Sequence, residues 1–159
     1  MRGRRFVAAA ACVCVLCAAG VLLAQGAAGP GEAVQKLDYF VGEWTFAGES
    51  QLSPFSLAGK FSGNETCEWL EGGFQVMCRN TTRVGSGKIT GLSIMAYDPE
   101  TKEYTIYSVD SGGFNVLARG TANGDVWTFH WAGTIGGKPA KVRATMHLSP
   151  DSYTGRTEG

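Results

Sequence analysis

From Trp44 onward, apolar side chains recur at every second position along short segments, and Gly, Asn, Asp and Pro separate one segment from the next. A period of two sends neighbouring side chains to opposite faces, the mark of a half-buried strand. Trp44 and Phe46 share one face, while Glu43, Thr45 and Ala47 take the other. The same pattern predicts strands over residues 55–70, 74–84, 89–97, 103–110, 114–121, 126–135 and 140–149. Their separators are turn chemistry: Glu71-Gly72-Gly73, Gly85-Ser86-Gly87, Asp98-Pro99-Glu100, Ser111-Gly112-Gly113, Asn123-Gly124-Asp125, Gly136-Gly137-Lys138 and Pro150-Asp151. Connections this short allow antiparallel hairpins and leave no room for crossover helices. Eight or nine such strands either close on themselves or stack as two sheets. Closure removes exposed edges and needs no long connection, so the expected fold is an all-β, antiparallel up-and-down β-barrel, with a sandwich as the alternative.

Ahead of the ladder, residues 32–41 carry Ala33, Leu37, Phe40 and Val41 at helical spacing, which predicts a short N-terminal helix ended by Gly42. The clearest strand is 126–135, with Trp127, Phe129 and Trp131 on one side and Thr128 and His130 on the other. Each buried aromatic removes roughly 150–250 Å² from water, worth about 4–6 kcal/mol as an upper estimate, and that decides the inward face. In the following strand Val142, Ala144, Met146 and Leu148 alternate with Lys141, Arg143, Thr145 and His147.

Residues 1–26 combine a basic start (Arg2, Arg4, Arg5), an apolar run from Phe6 to Leu23, and small residues suited to a peptidase. This is the pattern of a secretory signal peptide, with a retained membrane anchor as the alternative. Residues 27–159 then form a single domain in the secreted or periplasmic compartment. Removing the three signal arginines leaves eleven basic against fourteen acidic residues, a net charge of −3. Lys and Arg are scattered singly, so no footprint for nucleic acid exists, nor one for a membrane beyond the signal.

Cys12, Cys14 and Cys17 leave with the signal, and Cys67 and Cys78 remain. A hairpin turning at Gly72-Gly73 sets Trp69 opposite Val76 and Cys67 opposite Cys78, with Cα atoms about 5.5 Å apart, a separation a disulfide accepts. Export favours the disulfide, and a reduced core pair is the alternative. A metal site is disfavoured, since neither cysteine has a Cys-x-x-Cys partner. His130 and His147 fall on the polar side of their strands. Glu65, Glu68 and Glu71 read as a solvated edge, and Asp110 shares a face with Tyr104, Ile106 and Ser108 beside a turn where Asp is ordinary. The triplets Asn64-Glu65-Thr66 and Asn80-Thr81-Thr82 match the glycosylation pattern and carry no assigned role. With no Ser/His/Asp order, phosphate loop or His-x-x-x-His pair, no catalytic residue, metal ligand or cofactor is assigned.

The segment Leu37-Asp38-Tyr39-Phe40-Val41-Gly42-Glu43-Trp44 resembles the opening of the DUF1579 family of exported bacterial proteins, as do the Trp69-to-Gly73 hairpin, the Gly91-to-Tyr104 region and the Gly120-x-x-x-Gly124 turn. That family has no established activity. Gly42-x-Trp44 after a short helix is also similar to the start of lipocalin-type (calycin) barrels, a likeness that implies Trp44 plugs the closed end beneath a late arginine. Arg156 is the last arginine, and family members continue through a further strand or two, so the likeness implies a C-terminal truncation or a barrel closed with fewer strands.

A barrel of about eight strands either fills its interior or holds one small molecule. The leading expectation is a secreted carrier of a small apolar or amphipathic ligand, lined by Trp44, Trp69, Val76, Tyr104, Ile106, Phe114, Trp127, Phe129, Trp131 and Met146. Two alternatives stay open: a haem-dependent or other small-molecule enzyme with His130 or His147 inside, and a ligand-free scaffold whose aromatics fill the interior.

Overall fold

The computed structural model describes residues 29–51, 58–135 and 137–159. The export signal expected at 1–26 and the first part of the strand expected at 55–70 lie outside the described residues. A single helical turn, α1 (Glu32–Gln35), runs into a 3₁₀-helix (Lys36–Phe40). Nine strands follow: β1 (Gly42–Ser50), β2 (Gly59–Trp69), β3 (Gln75–Val84), β4 (Gly87–Asp98), β5 (Glu103–Asp110), β6 (Asn115–Asn123), β7 (Val126–Ile135), β8 (Lys138–Ser149) and β9 (Ser152–Glu158). They form one sheet in sequence order, every neighbouring pair antiparallel. No helix among the described residues is long and apolar enough to cross a membrane.

The lipocalin-like up-and-down architecture stands, with the short helix at its head. The sheet curls into a half-barrel and does not close: among the described residues no backbone ladder joins β1 to β9. Side chains bridge that seam instead. The single proton of the Tyr39 hydroxyl is shared between the carbonyls of Ser149 (2.8 Å) and Ser152 (2.7 Å), and the Trp44 ring lies 5.5 Å from that of Tyr153. β9 is the strand that alternation did not reveal, because among its residues only Tyr153 is a large apolar side chain.

The expected ten-residue helix is shorter and tighter than its pattern implied. Val34, Leu37 and Phe40, the buried residues here, are spaced three apart. A 3₁₀-helix eclipses positions i and i+3, so Leu37 and Phe40 point together into the end of the curl. Three aromatics from the sheet pin this segment. Tyr104 donates its hydroxyl to the Ala33 carbonyl (2.8 Å), Trp44 its indole N–H to the Phe40 carbonyl (2.8 Å), and Trp69 its indole N–H to the Asp38 carboxylate (2.9 Å). The first two satisfy backbone carbonyls that a short helix leaves without a partner, and the third ties down the Asp38 side chain. The core sits beneath, with Leu37, Val76 and Trp127 its largest fully buried side chains.

The β2–β3 register is the expected one, Trp69 opposite Val76 and Cys67 opposite Cys78. The turn itself is longer than expected. The Leu70 N–H donates to the Gln75 carbonyl and the Gly73 N–H to the Leu70 carbonyl, with Gly72 and Gly73 at φ +94° and +71°. Phe74 therefore belongs to the loop and is exposed, and Phe114 likewise precedes its strand. Cys67 and Cys78 form a disulfide with Cα atoms 4.0 Å apart, closer than the spacing expected of the pair.

Candidate functional site

Pairing register carries one face from strand to strand, so the inward side chains can be read across the sheet. One row runs Trp44, Glu65, Asn80, Gly91, Asp110. The next, nearer the helix, runs Gly42, Cys67, Cys78, Ser93, Ser108, Val116. From β6 onward the inward residues turn apolar: Val116, Ala118, Gly120 and Ala122, then Trp127, Phe129 and Trp131, then Val142, Ala144 and Met146. The concave face therefore has a polar arc across the middle of β2–β5, beyond the apolar Trp69, Val76, Met95 and Tyr104 packed under the helix, and an apolar arc on β6–β8. A recess of 280 Å³ opens on the polar arc, lined in part by Asn80, Thr82, Gly91, Ser108, Asp110 and Phe114. Gly91 makes the recess: a Cβ there would stand 2.9 Å from the Asn80 amide oxygen.

The ten residues expected to line an interior fall into four places. Trp69, Val76, Tyr104 and Trp127 belong to the packed end under the helix, where the Tyr104 and Trp127 rings lie 4.4 Å apart. Ile106, Phe129 and Met146 extend that core along the concave face. Trp131, half-buried, meets the exposed Phe114 ring at 5.7 Å away from the helical end. Trp44 stands at the seam between Tyr39 and Tyr153. Among the described residues no arginine covers Trp44. Arg156 is exposed on the convex face and pairs with Glu158 at 3.1 Å, so Tyr153 covers Trp44 instead.

Glu65 corrects the solvated-edge reading of the hairpin carboxylates. Glu68 and Glu71 are exposed, but Glu65 is half-buried on the concave face between Trp44 and Asn80. A signal for this was present, since Glu65 shares parity with Cys67 and Trp69. Burial pushes its carboxyl above the ordinary 4.5, and a hydrogen bond from the Asn80 side chain opposes the shift without cancelling it. Tyr153 lies close enough to feel that charge: burial first, then Glu65 and Tyr39, push its phenol upward. The Asp110 carboxylate, by contrast, is engaged by its own turn, accepting from the N–H groups of Gly112 (2.7 Å) and Phe114 (3.1 Å). Asn80 also points inward.

A carboxyl with a raised folded pKa binds its proton more tightly in the native state. It contributes stability that is full below 4.5 and lost as pH rises through the folded value. Glu65→Gln is therefore expected to stabilise the protein at neutral pH and to flatten that decline. Urea midpoints measured between about pH 4 and about pH 8 test this, and an unchanged profile would refute the burial of Glu65.

His130 and His147 are both exposed on the convex face. The Glu65 carboxylate and the two sulfurs lie within 4.8 Å of one another, but sulfurs bonded to each other offer no thiolate to a metal. No curated protein matches the chain. The family model described as "Protein of unknown function (DUF1579)" matches residues 29–153. With its helix-led, nine-stranded curl and a match over most of its length, the chain belongs to the DUF1579 family.

Proposed function

We propose that the protein is exported and acts outside the cytoplasm as a carrier of a small amphipathic molecule, held on its concave face. The division of that face supports the reading: polar Glu65, Asn80, Ser93, Ser108 and Asp110 on one arc, apolar Val116, Phe129, Trp131 and Val142 on the other. A face that served only as core would be apolar throughout, because an inward polar group without a partner is costly to bury. A ligand with a polar end and an apolar body matches both arcs at once. The enzyme alternative finds no histidine on the concave face among the described residues, since both stand on the convex side.

The test uses the neutral dye N-phenyl-1-naphthylamine, which brightens in apolar sites. Folded protein is expected to enhance its emission saturably, and Trp131→Ala to weaken binding about tenfold through loss of an aromatic wall. Dye that stays dark with fully folded protein would overturn the carrier reading.

A further inference from the structure

Resting on the carrier reading above, we propose that the ligand is a cationic amphiphile whose ammonium head sits at Glu65, against Trp44 and Tyr153, with its apolar chain along β6–β8. The bases are sorted by face. Lys60, Arg79, Arg83, Lys88, Arg119 and Lys141 all project from the convex face, as do Arg143 and Arg156. Glu65 and Asp110 project from the concave one. An inner surface with carboxylates and, among the described side chains, no base repels the head of a fatty acid and attracts a cation.

Pairing separates Glu65 from the outer carboxylates. On the convex face Glu68 meets Arg79 at 2.9 Å, Asp98 and Glu103 each meet Arg119 at 3.9 Å, and Glu158 meets Arg143 at 2.7 Å. Glu65 has no cationic partner among the described residues, although it is the more buried group and pays more for its charge. An ammonium arriving from solution supplies the missing counter-charge. Trp44 is Glu65's cross-strand neighbour, and Tyr153 packs on Trp44 at 5.5 Å. Aromatic faces beside a carboxylate are the standard recognition chemistry for alkylammonium groups, tolerant of methylation on the nitrogen.

The experiment compares three probes of one chain length, decylammonium, decanol and decanoate, as competitors of N-phenyl-1-naphthylamine near neutral pH and below micelle formation. The expected order is decylammonium tightest, then decanol, then decanoate, with about tenfold or more between first and last. Glu65→Gln is expected to erase that preference while Glu68→Gln, on the convex face, retains it. Tyr153→Leu, which keeps the charge and removes the ring, is expected to weaken decylammonium severalfold and decanol by less, so that the preference narrows. Decanoate binding as tightly as decylammonium, or a preference that survives Glu65→Gln, overturns the cationic assignment and leaves the carrier reading intact. Failure of the dye and all three probes to bind folded protein overturns both.

Discussion

Trp127→Ala is expected to destabilise the protein by about 3–5 kcal/mol, the usual cost of removing a buried Trp or Phe ring. Trp127 is 2% exposed and sits where three parts of the fold converge. Its ring lies 5.3 Å from Phe40 of the 3₁₀-helix, 4.4 Å from Tyr104 of β5 and 6.2 Å from Phe129 of its own strand. Across the sheet it is flanked by Ala122 and Met146. Truncation leaves a void the size of an indole beneath a helix that cannot settle into it, because the Tyr104, Trp44 and Trp69 hydrogen bonds fix that helix in place. With total stabilities of about 5–15 kcal/mol for domains of this kind, such a loss is a large share of the whole. Leu117→Ala is the matched control, since Leu117 is 50% exposed on the convex face and its loss is expected to stay within about 0.5 kcal/mol. Urea denaturation of the two variants measures the difference, and a Trp127→Ala cost near that of the control would contradict the placement of the core.

Loss of the Cys67–Cys78 bond carries the second large effect. Its partners are 11 residues apart in sequence, and closing a loop of that length contributes about 3 kcal/mol in the chain-entropy model. Both sulfurs are buried, at 3% and 2% exposure, under the helical end. Reductant is therefore expected to act slowly on native protein and quickly once urea opens the hairpin, because exchange needs access to a sulfur. The double variant Cys67→Ala/Cys78→Ala should lower the urea midpoint by an amount matching full reduction of the parent. Thiol titration that shows complete reduction with no shift in midpoint would remove the disulfide from any account of stability.

The alternation that revealed the fold is local, which is why it was legible. Trp127-Thr128-Phe129-His130-Trp131 states its inward face within five residues, and the pairing of Cys67 with Cys78 follows from one hairpin once the turn is located. The site was harder to see. Glu65 looks like a neighbour of Glu68 and Glu71 along the chain, and only its parity with Cys67 and Trp69 moves it inside. Asn80, Ser108 and Asp110 are ordinary strand polar residues until register gathers them around a recess.

Local period and turn chemistry, read from the amino acids alone, determined the antiparallel ladder, the short helix at its head, the apolar inward faces of β7 and β8, and the register that sets Cys67 opposite Cys78. The tertiary structure decided that the curl stops short of closure, that Tyr153 of β9 rather than an arginine covers Trp44, and that Glu65 lies inside without a counter-charge among the described residues. The physical reason is separation along the chain. A two-residue period is set by bonded geometry, whereas the meeting of residues 44, 65 and 153 depends on the accumulated twist of nine strands, which no short segment encodes.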